Sequence, residues 1–278
     1  MKRLILLFIA VTSFFAMMAD KADDNIYMRM VSDADEAIAK GNFEQAERYL
    51  TDALNLQPTN PMNSMLISNL GMVRYYMGND SLALVTLSHA HNISPASVTI
   101  LLNRAKVLTS MREIDKALED YDMVTELDST VARPYFFRGM VSLNKGDLQN
   151  AVSQFNILKQ LEPDGYDTNI AMAQLYLVSE QWDKALPYFS ELLKLEPAPE
   201  FYSGRAWCYL NKGDLSEASD DIARGLKMNS TDPELFLCRA YLNKLRYRQS
   251  DSLRDAEDAI RNGADPQRVA RILQQSKN

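Results

Sequence analysis

The chain has 278 residues, 46% of them hydrophobic, with only 10 Gly and 10 Pro. That is enough for a folded core, in one or two ordinary domains or one elongated array, and it argues against disorder and against a turn-rich all-β fold. A formal charge of −7 with no basic block excludes a nucleic-acid partner, and two Cys cannot build a disulfide scaffold.

The first element is N-terminal. A short positive lead, Met1-Lys2-Arg3, precedes the apolar run Leu4–Ala19, and "DKADDN" follows at once. This pattern resembles a secretory signal peptide over residues 1–19, which would place the mature chain in the periplasm or outside the cell. Sixteen residues is short for a spanning helix. A cut after Ala19 puts Met17 where a small residue is preferred, so the alternative is an uncleaved segment that anchors the chain to a membrane. No other segment is apolar enough to span one.

From Tyr27 onward the chain repeats itself. "LNKGDLQNA" (Leu143–Ala151) returns as "LNKGDLSEA" (Leu210–Ala218), 67 positions later. Half that distance locates "SEQWDKA" (Ser179–Ala185), and the same frame run backwards locates "SMREIDKA", "MGNDSLA" and "KGNFEQA". Repeats of about 34 places then begin at Tyr27, Ser64, Val98, Ala132, Tyr166, Pro199 and Pro233, spaced 37, 34, 34, 34, 33 and 34 apart. The eighth place is always small (Ala34, Gly71, Ala105, Gly139, Ala173, Ala206, Ala240), so another helix can approach closely. The twentieth is Ala six times and then Ser252, while the twenty-fourth is larger: Leu50, Leu87, Tyr121, Phe155, Phe189, Ile222, and last Ala256. Gly41, Gly78, Gly146 and Gly213 share the fifteenth place, where a left-handed residue ends a first helix, and Pro58, Pro95, Pro163 and Pro197 close four repeats. Apolar residues within each half recur at helical steps. The first repeat departs from the pattern at Asp33 and Ala37, the last at Tyr247 and Ala256. A closing helix follows in Gly263–Gln275, with Asp265 as cap and Pro266 at its first position.

Small, large, Gly and Pro places recurring in register resemble the tetratricopeptide repeat, a helix–turn–helix unit of about 34 residues. The resemblance implies an all-α, right-handed superhelical solenoid of about seven helix pairs over residues 20–265, with a capping helix and tail over 266–278. It implies a non-catalytic scaffold or adaptor that binds a protein or peptide in a concave groove. The alternative is a membrane-anchored, chaperone-like or envelope-assembly subunit. In the family the inner wall comes from the first helix of each repeat. The equivalent places here are Met65, Met72, Tyr75, Tyr76, Lys106, Arg133, Phe136, Met140, Asn144, Gln174, Trp207, Asn211 and Tyr241. Asp167, Glu200 and Glu234 also fall on this wall, in first turns where the helix dipole alone explains an acid. The family's clamp for a terminal carboxylate maps to Ser68, Met72, Asn103, Arg133 and Phe137, of which only two suit, so no clamp partner is expected.

Catalytic chemistry is not legible. His89 and His91, the only histidines, point about 200° apart on a helix and cannot share a metal unaided. There is no phosphate loop, nucleophile elbow or zinc signature, so neither cofactor nor metal is expected. Three glycosylation triplets, at Asn79, Asn92 and Asn229, matter only in a glycosylating host. The seventh place, usually apolar in the family, holds Arg104, Arg138, Arg205 and Arg239; sixteen residues later stand Asp120, Gln154, Asp221 and Asp255. A charge at a core-facing place needs a partner, so Arg104–Asp120, Arg205–Asp221 and Arg239–Asp255 are expected as ion pairs joining the two helices of a repeat. Cys208 and Cys238 fall in adjacent first helices, either as two small core thiols or, in an oxidising compartment, as a disulfide.

Overall fold

The structure, a computed structural model, describes residues 22–274, with side chains from Asn25 onward. The apolar Leu4–Ala19 segment lies outside the described residues. Among these the chain forms fifteen α-helices and no strand. They are α1 (Ala22–Ala39), α2 (Phe43–Leu56), α3 (Asn63–Tyr76), α4 (Asp80–Ile93), α5 (Val98–Ser110), α6 (Ile114–Leu127), α7 (Arg133–Asn144), α8 (Leu148–Leu161), α9 (Tyr166–Val178), α10 (Trp182–Leu195), α11 (Pro199–Lys212), α12 (Leu215–Met228), α13 (Pro233–Leu245), α14 (Gln249–Arg261) and α15 (Pro266–Gln274). Odd and even helices pair across turns of two or three residues, and such short turns leave the two helices antiparallel. The chain divides into two compact bodies, Met1–Pro134 and Tyr135–Asn278.

Both bodies are built by one packing rule. Ala46, Ala83 and Ala117 in the first, and Ala151, Ala185 and Ala218 in the second, have no exposed surface, because the facing helix lies directly on the Cβ. The large twenty-fourth residue then fills the space above the small eighth one. Leu50, Leu87, Phe155 and Phe189 are fully covered, and Tyr121 and Ile222 almost so. Where the eighth residue is glycine the contact is closest: a Cβ added to Gly71 would lie 2.6 Å from Leu87 Cγ, and one added to Gly139 would lie 2.2 Å from Phe155 Cε1. In the last pair the twenty-fourth residue is only Ala256, and Ser252 Oγ donates 2.8 Å to the Ala240 carbonyl instead.

The fifteenth place is left-handed in every repeat, glycine or not. Gly41, Gly78, Gly146 and Gly213 have φ between 73° and 91°, while Arg112, Glu180 and Tyr247 take φ of 62°, 56° and 58°. A side chain there costs about 1–2 kcal/mol, so the short turn is imposed by the packing of the helices it joins.

The first repeat is longer by three residues, and they lie in the 57–62 connector between α2 and α3. It is fastened by Asn63, whose Nδ2 donates to the Gln57 carbonyl at 2.7 Å and whose Oδ1 accepts from Tyr27 Oη at 3.0 Å. Tyr27 is almost fully covered, and burial pushes its pKa up to about 12. Beside the connector lies an apolar groove of about 600 Å³, walled by Leu54, Pro58, Leu82, Val85 and Ile93 among others.

Cys208 and Cys238 are free and buried, so the core-thiol alternative is the one realised. Cys238 Sγ donates to the Ser203 carbonyl at 3.8 Å. Burial raises both pKa values, that of Cys208 to about 12, which removes thiolate character.

Candidate protein-binding surface

In the N-terminal body the wall residues gather at one corner. Tyr75 and Tyr76 end α3, and their rings meet edge-on at 5.4 Å between centroids. Phe43, the first residue of α2, stacks on Tyr76 at 5.4 Å. Lys106 reaches across from α5 and donates to Tyr76 Oη at 3.0 Å, its ammonium 5.0 Å and 5.4 Å from the centroids of Tyr76 and Tyr75. All three wall residues are half-buried. Burial raises the Tyr76 pKa. Burial also lowers that of Lys106, with Tyr75 opposing and the Arg133 guanidinium adding to the drop.

Met72 corrects the expectation for this wall. It is 2% exposed and packs with Ala83, Leu87 and Val107, because the ninth place of α3 faces α4 and α5. Met65 is half-buried against Ile67, Ala90 and Ile100. Two places of the carboxylate clamp are tied to each other, Asn103 Nδ2 donating to the buried Ser68 Oγ at 3.0 Å. Arg133, at the start of α7, is exposed.

In the C-terminal body Phe136, Met140 and Gln174 are half-buried and Asn144 is exposed. Trp207 is already occupied by the chain itself. Its Nε1 donates to Glu234 Oε1 at 2.5 Å, its ring lies 5.7 Å from that of Tyr241, and Ile272 and Leu273 of α15 belong to the same apolar cluster. Arg268 of α15 grips the same Glu234 with two bonds of 2.5 Å and 2.6 Å. Glu234 is therefore more than a first-turn acid: it ties α11, α13 and α15 together. Asn211 is half-buried, and its Nδ2 donates to the Trp207 carbonyl of its own helix at 2.8 Å. Tyr241 is a second correction. At 5% exposure it is core, packed with Ala206, Leu210 and Leu242.

The seventh-place arginines lie between the paired helices. Arg104 Nε and Nη2 donate to the two oxygens of Asp120 at 2.8 Å and 2.5 Å. Arg205 holds Asp221 in the same fork, both bonds 2.7 Å, and also reaches Ser190 Oγ at 3.2 Å. Asp255 accepts from Arg239 at 2.7 Å and from Asn243 Nδ2 at 2.8 Å. The three carboxylates are 1–2% exposed. These arginines are committed to carboxylates within their own repeats and do not form an open row for anions. In the second repeat, with Leu70 at the seventh place, Arg74 substitutes from one turn on, donating to Glu47 at 2.8 Å and Thr86 Oγ1 at 2.7 Å.

Similarity to known proteins agrees with this geometry. Tetratricopeptide-repeat family models match residues 34–60 and 170–233. A tetratricopeptide repeat protein of Parabacteroides merdae, 23% identical, superposes with a TM-score of 0.64 over 90% of this chain and 98% of its own. The two matched segments are tetratricopeptide repeats, and the chain has the fold of a tetratricopeptide array. A second tetratricopeptide structure, YrrB, described as having an unusual peptide-binding site, is 22% identical with a TM-score of 0.51 over 68% of this chain and 98% of its own. A DnaJ homolog subfamily C member 7 homolog of Dictyostelium discoideum is 21% identical over 200 residues, 66% of this chain; the chain spans only 37% of that relative.

Tetratricopeptide arrays serve generally as scaffolds for protein or peptide partners. In this one, no three His, Cys, Asp or Glu side chains among the described residues come together as a metal site would require. His89 is exposed. His91 is half-buried beside Arg104, with an unpartnered Nδ1, and its pKa is lowered first by burial and then by that guanidinium. No helix among the described residues is long and apolar enough to cross a membrane.

Proposed function

We propose that this tetratricopeptide chain is a non-catalytic scaffold or adaptor. It works outside the cytoplasm and holds an extended or helical segment of a partner protein against its first helices. One observation carries the reading: after the core is complete, the wall of the N-terminal body still presents Tyr75, Tyr76 and Lys106 half-exposed in one cluster. Aromatic and cationic side chains of this kind are favoured where interfaces form. The peptide-binding site described for YrrB supports a peptide as the kind of partner. The location rests on the Lys2-Arg3 lead and the apolar Leu4–Ala19 run.

The test is capture from envelope and secreted fractions, with residues 20–278 as bait. Tyr75→Ala with Tyr76→Ala is expected to reduce capture about tenfold, a loss of ~1.4 kcal/mol, with the thermal melt shifted by only a few degrees. Trp207→Ala, by contrast, should lower the melt, because Glu234 loses its indole donor and α15 its support. Undiminished capture by the double variant would remove the basis for this surface. An N-terminus beginning near Asp20 in the native protein supports a cleaved leader. One beginning at Met1 in the membrane fraction favours the anchored assembly subunit, for which Met17 at the cleavage site speaks.

A further inference from the structure

Lys106 is placed differently from five other cations on first helices. Arg74, Arg104, Arg205, Lys212 and Arg239 each have a carboxylate within 2.5–2.8 Å. Lys106 has none among the described residues: its one hydrogen bond goes to a neutral phenol, and two aromatic faces supply the rest of its surroundings. Arg133 lies near enough to act on it electrostatically with the same sign. An ammonium carries three donors, so two of its N–H groups are not used by Tyr76. Half-burying a cation costs free energy that cation–π contacts offset only in part. In a protein with 37 acidic and 30 basic residues, this is a site built without the acid.

We propose that the corner formed by Phe43, Tyr75, Tyr76 and Lys106 binds a carboxylate that its partner carries next to an aromatic or large apolar residue. The carboxylate takes the two donors of Lys106 that Tyr76 does not use. The neighbouring apolar group lies on the tyrosine rings. A charge-assisted bond at a half-buried ammonium is stronger than a neutral one, so the acid is the recognised feature and the ring the support. The site is not the family's clamp, two of whose places, Ser68 and Asn103, are bonded to each other. This inference rests on the scaffold reading, since it names the chemistry of the segment held there.

Three capped tripeptides test it: Ac-Phe-Glu-Phe-amide, Ac-Phe-Gln-Phe-amide and Ac-Phe-Gln-Phe with a free terminal carboxylate. The readout is the ε-carbon resonance of Lys106 in mature protein labelled with [13C]lysine, assigned by its disappearance in Lys106→Arg. A saturable shift of that resonance with the Glu peptide, at least about tenfold weaker with the Gln amide, is the expected result. The free-carboxylate peptide then separates the two sources. Binding by it as well shows that a chain terminus serves; failure by it alone restricts the site to acidic side chains, and either outcome supports a carboxylate site. In Lys106→Met the Tyr75 and Tyr76 ring resonances should no longer distinguish Glu from Gln, whereas Lys106→Arg should keep the preference. Equal response to Glu and Gln peptides, or shifts spread over all lysines alike, overturns the proposal, and so does no response to any peptide. If that happens while the tyrosine double variant still loses its partner, the scaffold reading stands without this site. If the peptides bind as expected but no protein is captured, the scaffold reading is the one that falls.

Discussion

Replacing Asp221 by Asn is expected to cost about 3 kcal/mol of stability in the C-terminal body. The carboxylate is 2% exposed and takes both forks of Arg205, whose own side chain is 16% exposed. Asn keeps the volume but removes the charge, and turns an NH2 group toward a guanidinium that has only donors. Arg205 is then left partly buried without a counter-charge, with one amide oxygen in place of two carboxylate oxygens and Ser190 Oγ beside it. Losing one partner of a buried pair is far costlier than losing both, so Arg205→Met with Asp221→Leu should recover most of the loss. The exposed Lys212–Asp183 contact provides the comparison: its carboxylate is 83% exposed, and Asp183→Asn should change stability by less than ~1 kcal/mol. Urea unfolding followed by circular dichroism measures the difference. Hydrogen exchange should place it in α11 and α12, because repeat arrays need not unfold all at once. An Asp221→Asn variant within ~0.5 kcal/mol of the parent would mean that the pair contributes geometry without stability.

Gly139→Ala should cost about 2 kcal/mol, although alanine is the better helix former. The added methyl would sit 2.2 Å from Phe155 Cε1 and 2.5 Å from Cδ1, and Phe155 is fully covered. The ring cannot withdraw without disturbing α8, and the ~1 kcal/mol gained in helix propensity does not offset the overlap. Phe155→Leu creates space at the same point. The double variant should therefore be more stable than Gly139→Ala alone, a coupling that additive effects cannot produce. Thermal melts of the four proteins decide the matter, and a Gly139→Ala melt equal to the parent's would refute the tight contact.

Most of the fold was legible because its determinants are local and repeated. Val98, Tyr166, Pro199 and Pro233 begin α5, α9, α11 and α13 where the 34-place frame begins a repeat. The Arg–Asp pairs could be read because both partners change together within one chain. Left-handed turns at Arg112, Glu180 and Tyr247 could not, since nothing in those side chains favours that backbone and the helices around them impose it. The candidate surface was less legible. A wall place is defined by its direction on one helix, but burial depends on what the neighbouring helices bring. Met72 meets Val107 of α5, and Tyr241 is covered from the α11 and α15 sides, so both became core. Trp207 is taken up by Glu234, itself held by Arg268, and this depends on a helix that lies outside the repeat pattern. The apolar groove beside Pro58 and Val85 accompanies a three-residue excess, which the sequence shows only as an irregular spacing.

The pairing of side chains between the two helices of a repeat also bears on how such a chain can change length in evolution. A gene crossover between the two "LNKGD" stretches, Leu143–Asp147 and Leu210–Asp214, would delete or duplicate 67 residues without a break in the reading frame or the turn. The shortened product joins α7 to α12. It sets Arg138 opposite Asp221, a complete ion pair, and Gly139 opposite Ile222, a small void. The lengthened product joins α11 to α8 at its new junction. There Arg205 meets Gln154 and loses its carboxylate, while Ala206 meets Phe155 as Ala173 meets Phe189 in the parent. Contraction completes an ion pair and expansion leaves a partly buried guanidinium without its carboxylate, so this array should lose repeats at that joint more readily than it gains them. Expressing the two recombinants side by side would test it, and a lengthened product that melts above the shortened one would reverse the conclusion.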